Sequence, residues 1–210
     1  MADLLPLFPL PSVVLFPNVF LPLHIFEPRY RSMVADAIAN DRLIGMVLLQ
    51  PGWESNYQGR PPMYSIGTSG LITHVEQLAD GRYNIVLRGL ERFRILEEDY
   101  GLSYRRGVVE PLVEPPLGDD DRLAIRRVRA TLEDMLVKPG DARGADPRIP
   151  SSMADDDLVN ALAQYLDLEP LEKQALLEHH SLRDRAKSLV ELLEMKTLMA
   201  RTPGASNVTN

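Results

Sequence analysis

Five prolines fall within the first 22 residues, Pro6, Pro9, Pro11, Pro17 and Pro22, and they constrain this chain more than any other feature. Proline has no backbone N–H to donate and holds φ near about −65°, so it fits neither a helix interior nor the middle of a hydrogen-bonded ladder. The apolar runs between these prolines are therefore expected to form edge strands, bulges and turns. Pro and Gly continue to break up short apolar runs as far as Pro116, with one interruption. Pro28 suits the first position of a helix, and Tyr30, Met33, Val34, Ala37 and Ile38 follow at the spacing of one helical face.

The remaining segments up to Pro116 alternate as strands do. Leu43–Leu49 reads as a buried strand in which Gly45 permits close backbone approach. Leu71, Thr73 and Val75 alternate with Ile72 and His74, and Tyr83, Ile85 and Leu87 alternate with Asn84, Val86 and Arg88. Between them Asp80-Gly81 supplies a hairpin turn, because Gly accepts positive φ. Gly89 is expected to end the second strand. Arg92–Leu96 then forms a further run with Phe93 and Ile95 on one face, and Ser103–Val113 supplies another strand.

Beyond Pro115-Pro116 the period becomes helical. Asp119, Asp120 and Asp121 place negative charge where a helix start favours it, and Ile125, Val128, Leu132, Met135 and Leu136 trace a stripe. Lys138-Pro139-Gly140 should stop that helix, and 139–153 reads as a mobile loop. Leu158, Ala161, Leu162, Tyr165 and Leu166 suggest a second stripe. A short helix is expected from Pro170, and Leu182, Ala186, Leu189 and Leu193 mark a last one. The expected class is α+β: an antiparallel β-domain over 1–116 with one inserted helix, a helical subdomain over 117–202, and a disordered tail at 203–210.

Composition narrows the function. With 45% hydrophobic and 25% charged residues in 210, the chain can bury a core unaided. It has no cysteine, which removes disulfides, thiolate zinc sites and thiol catalysis together. The N-terminus lacks the basic start and unbroken apolar segment of a signal peptide. No apolar run reaches the roughly 18–20 residues a membrane span needs, so a soluble, cytoplasmic protein without membrane contact is expected. A net charge of −7 disfavours nucleic acid as the partner, since neutralising phosphates needs clustered cations. Arg82, Arg88, Arg92, Arg94, Arg105 and Arg106 suggest a positive sheet face. However, residues 1–118 carry 10 basic and 13 acidic side chains.

Three stretches in order carry a family resemblance. The chain opens Leu5-Pro6-Leu7-Phe8-Pro9-Leu10, continues through Leu15-Phe16-Pro17 and Leu21-Pro22-Leu23, and reaches Ile25-Phe26-Glu27-Pro28-Arg29-Tyr30-Arg31. Next comes Tyr64-Ser65-Ile66-Gly67-Thr68-Ser69-Gly70. The third is the hairpin Asp80 to Arg88, followed by Gly89-Leu90-Glu91-Arg92-Phe93-Arg94-Ile95. Together these resemble the substrate-binding N-terminal domain of Lon protease, and the Ile25–Arg31 version resembles its stand-alone members. The resemblance is sharp over the first hundred residues and looser in the helical half. It implies a PUA-like pseudo-barrel followed by a helical bundle, and a module that recognises polypeptide segments or a protein partner.

The catalytic parts of a Lon protease are not expected here. No Gly-Lys pair exists to build a phosphate-binding loop. The four lysines are Lys138, Lys173, Lys187 and Lys196, and Ser188, beside Lys187, points about 100° away from it on a helix. No enzyme of the Lon type, no cofactor and no metal site is expected.

Candidate contacts for a ligand or partner are His24, Glu27, Arg29, Tyr30, Trp53, Tyr57, Met63, Arg88 and Arg92. Glu27, Arg29 and Tyr30 flank Pro28, so they either form a polar binding spot or fix the strand–helix junction. Trp53, Tyr57 and Met63 belong to the loop around Gln50–Pro62, where large apolar groups are exposed contacts or a lid folded onto the barrel. Asp155, Asp156 and Asp157 read as helix-opening acids rather than metal ligands. His179-His180 lacks a third ligand. Besides polypeptide recognition at a barrel edge or junction, the alternatives are small-molecule binding or catalysis in an inter-domain cleft, and RNA binding through the sheet.

Overall fold

The computed structural model describes residues 4–136 and 153–201. The strands are β1 (Leu5–Leu10), β2 (Phe20–Ile25), β3 (Leu43–Leu48), β4 (Ile66–Gln77), β5 (Tyr83–Asp99) and β6 (Arg105–Pro111). The helices are α1 (Pro28–Ala39), α2 (Asp119–Leu136), α3 (Asp155–Tyr165), α4 (Pro170–Glu178) and α5 (Leu182–Arg201). All six strands share one sheet in the order β2-β5-β4-β3-β1-β6, and β6 also pairs with β5. The second pairing closes β5-β4-β3-β1-β6 into a ring and leaves β2 outside it on β5. β1 and β3 run parallel; the other pairs are antiparallel. The architecture is α+β.

The prolines correct one expectation. β1 carries Pro6 and Pro9 yet lies between β3 and β6, not at an edge. Its pairing with β3 begins at Leu7, and its pairing with β6 covers only Leu5–Leu7. The Leu10 carbonyl accepts from the Leu49 N–H on the β3 side. Backbone alternation therefore turns Pro6 toward β3 before that ladder starts, and Pro9 toward β6 after that ladder has ended. Neither proline removes a ladder bond. Pro22 does sit on an edge strand, as β2 pairs only with β5 among the described residues.

β4 and β5 meet at the expected hairpin, with Gly81 at φ 80° and its N–H donating to the Leu78 carbonyl. Gly89 does not end the strand. β5 runs unbroken from Tyr83 to Asp99, so the run Arg92–Leu96 is its continuation. A Cβ at Gly89 would stand 2.1 Å from the Phe16 carbonyl oxygen, so glycine here admits the turn that precedes β2. Hydrogen bonds from Asn18 N–H to the Gly89 carbonyl and from Gly89 N–H to the Val19 carbonyl hold that turn, both at 2.9 Å.

α1 buries Tyr30, Met33, Val34 and Ala37 against Phe8, Ile25, Ile44, Met46, Ile72, Ile85 and Leu87. Each fully buried side chain of this kind stabilises the fold by about 1.5–3 kcal/mol. Pro28 begins the helix, and with no side-chain cap the Glu27 carbonyl accepts from the Tyr30 and Arg31 amides.

The chain groups into two compact units, Met1–Val113 with Asn160–Glu178, and Glu114–Val159 with His179–Asn210. In the first, polar side chains bind the late helical residues to the β-structure. Gln164 accepts from the Phe16 amide at 3.1 Å and donates to the Val14 carbonyl at 3.0 Å. Gln174 donates to the Ile66 carbonyl, and Tyr165 donates to the Phe20 carbonyl. The expected stripe on α3 is thereby displaced. Leu158, Val159, Asn160, Ala163 and Gln164 are buried while Tyr165 is 67% exposed, because two buried carboxamides take the place of apolar residues.

In the second unit α2 packs on α5, and Ile125, Leu132, Leu182, Ala186 and Leu189 of these helices are buried. Arg185 is fully buried and pairs with Glu114. The expected stop at Lys138-Pro139-Gly140, the loop 139–153 apart from Met153, and the tail 203–210 lie outside the described residues. No helix among the described residues is long and apolar enough to cross a membrane.

Candidate functional site

Glu27 organises one side of the site. It ends the extended segment after β2, and the φ of Pro28 turns the next residues into α1, which brings Arg29 and Tyr30 beside it. Arg29 Nε donates to Glu27 Oε2 at 3.1 Å, and the Tyr57 hydroxyl donates to Glu27 Oε1 at 2.6 Å. Both Arg29 Nη atoms also reach the Tyr57 carbonyl at 3.3 Å. The guanidinium stacks between two rings, 4.5 Å from the centroid of Tyr30 and 5.0 Å from that of Tyr57. Trp53 meets Tyr57 edge-on at 5.4 Å, and the Tyr30 hydroxyl donates to the Pro9 carbonyl.

These contacts tie the loop between β3 and β4 to the start of α1. Its base is closed by Gln50 N–H to the Pro62 carbonyl and by the Gln50 side chain to the Met63 carbonyl. Burial raises the pKa of the Tyr57 hydroxyl, and its hydrogen bond to Glu27 raises it further. Burial likewise raises that of Tyr30, against the opposing charge of Arg29. Both hydroxyls stay protonated and serve as donors.

The turn between β5 and β6 forms the facing wall. Arg105 is 8% exposed, grips Glu98 through Nε and Nη2 at 2.6–2.9 Å, and donates from Nη1 to the Pro61 carbonyl at 2.6 Å. Arg60, from the loop, lies 4.2 Å above the Tyr100 ring. Loop and hairpin turn thus make one rim around a cavity of about 170 Å³, lined by Arg29, Tyr30, Arg60, Ser103 and Arg105 among others. Tyr100 and Leu102 stand exposed on the same turn. Tyr104 also lines a second cavity of about 230 Å³ with Asp36, Asn40, Asp41 and Arg106, and it donates to Asp36 at 2.8 Å.

Of the residues singled out from sequence, Glu27, Arg29, Tyr30, Trp53 and Tyr57 come together here. The others lie elsewhere. His24 is on the outer face of β2, where Nδ1–H donates to Asn84 at 2.7 Å and Nε2 accepts from Arg82 at 3.2 Å. Met63 packs against the small cluster of Leu7, Val47 and Phe93. Arg88 reaches Asn18 at 3.5 Å, and Arg92 is 3% exposed with Nη1 on the Leu177 carbonyl.

The arginines that suggested a positive sheet face are largely committed to partners: Arg82 to Asp80, Arg105 to Glu98 and Arg106 to Asp99. Sequence reasoning missed Arg60, Tyr100 and Ser103. The available signal was an arginine next to Pro61-Pro62 in a polar loop that already held Trp53 and Tyr57. Among the described residues no cluster of three His, Asp or Glu could hold a metal ion.

A family model described as the ATP-dependent protease La (LON) substrate-binding domain matches residues 4–195. Over 195 residues the chain is 28% identical to Lon protease of Anaeromyxobacter dehalogenans, covering 91% of this chain and 23% of that protein. It is also 28% identical to Lon protease 2 of Myxococcus xanthus, over 92% of this chain and 24% of that protein. The chain therefore spans about a quarter of the length of these relatives.

Two solved structures share the fold. The Lon N-terminal domain protein from Xanthomonas campestris matches at a TM-score of 0.58 and 23% identity, covering 96% of this chain and 99% of that one. The N-terminal domain of the Mycobacterium avium complex Lon protease matches at 0.67 and 19% identity, covering 91% and 98% respectively.

Proposed function

The chain belongs to the ATP-dependent protease La (LON) substrate-binding domain family, and on that premise we propose that it is a non-catalytic, cytoplasmic module that recognises segments of polypeptide. The closed strand ring is, on this reading, a PUA-like pseudo-barrel, and the later helices are its bundle subdomain. The observation that carries the proposal is the rim formed by the loop Gln50–Pro62 and the β5–β6 turn. The Glu27–Arg29–Tyr57 network fixes that loop in advance, so little ordering entropy is lost on binding. The same rim offers Trp53, Tyr57, Tyr100 and Leu102, amphipathic and apolar groups of the kind that anchor peptide contacts.

For these two cavities small-molecule binding or catalysis is the weaker reading, since about 170 and 230 Å³ fall below the roughly 300–1,000 Å³ typical of such sites.

Trp53 is the single tryptophan of the chain, so its emission reports on the rim directly. Titration with a reduced and alkylated, permanently unfolded protein should shift that emission saturably, and Trp53→Ala should weaken binding measured by anisotropy of the labelled ligand. No saturable anisotropy change with unfolded protein or peptides would reject polypeptide recognition.

A further inference from the structure

We infer that the cavity inside this rim is a carboxylate-binding subsite, centred on Arg60, that takes an acidic group of the bound polypeptide; the inference rests on the polypeptide-recognition reading and names what that surface selects. The lining includes three guanidinium-bearing residues, Arg29, Arg60 and Arg105, and no Asp or Glu. Two of the three are already matched: Arg29 by Glu27 and Arg105 by Glu98. Arg60 has the Tyr100 ring as its neighbour, and its charge is felt by Asp99, which is itself bound to Arg106. Its Nη1 atom is closed off without a hydrogen-bond partner, so the remaining N–H groups of the guanidinium are the ones a ligand would meet.

The guanidinium carries five N–H donors in a planar fork, and an acceptor in the cavity can meet those that line it. An anionic acceptor suits a wall of this charge best. A carboxylate matches the planar guanidinium fork, and it is the anionic group that polypeptides themselves carry. The volume, about 170 Å³, accommodates one such group rather than a whole side-chain cluster. Ser103 stands in the lining and can add a hydroxyl donor. Tyr100 and Leu102, exposed beside it, offer apolar surface to the residue that bears the carboxylate. The source is either a chain terminus or an Asp or Glu side chain.

The test uses the full chain and three fluorescein-labelled peptides of one apolar sequence. One ends in a free carboxylate, one in an amide, and one in an amide with an internal Glu. Sodium acetate is the competitor, against sodium chloride at equal ionic strength. At least one carboxylate-bearing peptide should bind about tenfold tighter than the plain amide. Acetate should erase that margin, and in Arg60→Gln the three peptides should bind alike. A gain confined to the first peptide assigns the chain terminus as source, and a gain confined to the third assigns a side chain.

Equal binding of all three peptides by the unsubstituted chain would overturn the carboxylate subsite and leave polypeptide recognition standing. An acetate-induced, saturable shift of the Arg60 Nε NMR signal without any peptide binding would retain the subsite and remove the polypeptide reading. Absence of both signals overturns both. The peptide comparison needs no variant, so a folding failure of Arg60→Gln would not shelter the proposal.

Discussion

Tyr104 stands in the walls of both cavities and shows how a single side chain here joins packing to charge. Burial and then its hydrogen bond to Asp36 push its pKa up to about 12 from 10.0. Between those two values the folded chain holds a proton that the unfolded chain has released, so stability must fall as pH rises. The contribution of neutral Tyr104 is complete below pH 10.0 and is lost on approaching about 12. Thermal unfolding followed across that window should show a shallower decline for Tyr104→Phe than for the unsubstituted chain. Parallel declines would show that Tyr104 is not the titrating group.

At this scale the sequence was legible only in part. Glu27, Arg29 and Tyr30 flank Pro28, so their proximity could be read from local order. Trp53 and Tyr57 stood out as large rings in a polar loop. Nothing local indicated that Arg60 would face Tyr100, because that contact depends on how the loop and the β5–β6 turn close on each other.

Elements with local causes were the readable ones. Asp80-Gly81 makes its own hairpin and Pro28 starts its own helix. Elements shaped by distant partners were misread, and Gly89 and Gln164 illustrate why. Glycine in a strand pattern signals either an end or a close approach. At Gly89 it is the latter, and the neighbour, the Phe16 carbonyl, is supplied by the turn before β2. Gln164 interrupts an apolar stripe because the Val14 and Phe16 backbone groups need a donor and an acceptor 150 and 148 residues away in sequence. No periodicity encodes such demands. Gly89→Ala should therefore destabilise the chain by about 2–3 kcal/mol, since backbone rather than a pliable side chain must yield. Urea denaturation monitored by Trp53 emission would measure it. A loss below about 0.5 kcal/mol would show that the turn gives way freely.

Across the whole β-structure, ring closure gives β5, β4, β3, β1 and β6 strand neighbours on both sides over part of their lengths, whereas β2 has β5 alone among the described residues. Leu21, Leu23 and Ile25 stand opposite Leu87, Ile85 and Tyr83, and Pro22 stands opposite Val86. Proline has no N–H to exchange, so Phe20, Pro22 and His24 are the positions whose backbone groups face away from β5. That edge is defended twice. Pro22 removes its central donor, and the Tyr165 hydroxyl occupies the Phe20 carbonyl at 2.9 Å. An added extended strand would find this edge poorly matched.

The same geometry makes a prediction about association. Pro22→Thr restores a donor between two outward positions, leaves the β5 ladder untouched and suits a strand. The variant should self-associate with rising concentration more than the unsubstituted chain does, as measured by size-exclusion chromatography with light scattering. Amide protection of the remaining β2 residues should increase in step. If both chains keep the same mass over that range, the missing N–H is not what guards the edge, and the Tyr165 contact alone is sufficient.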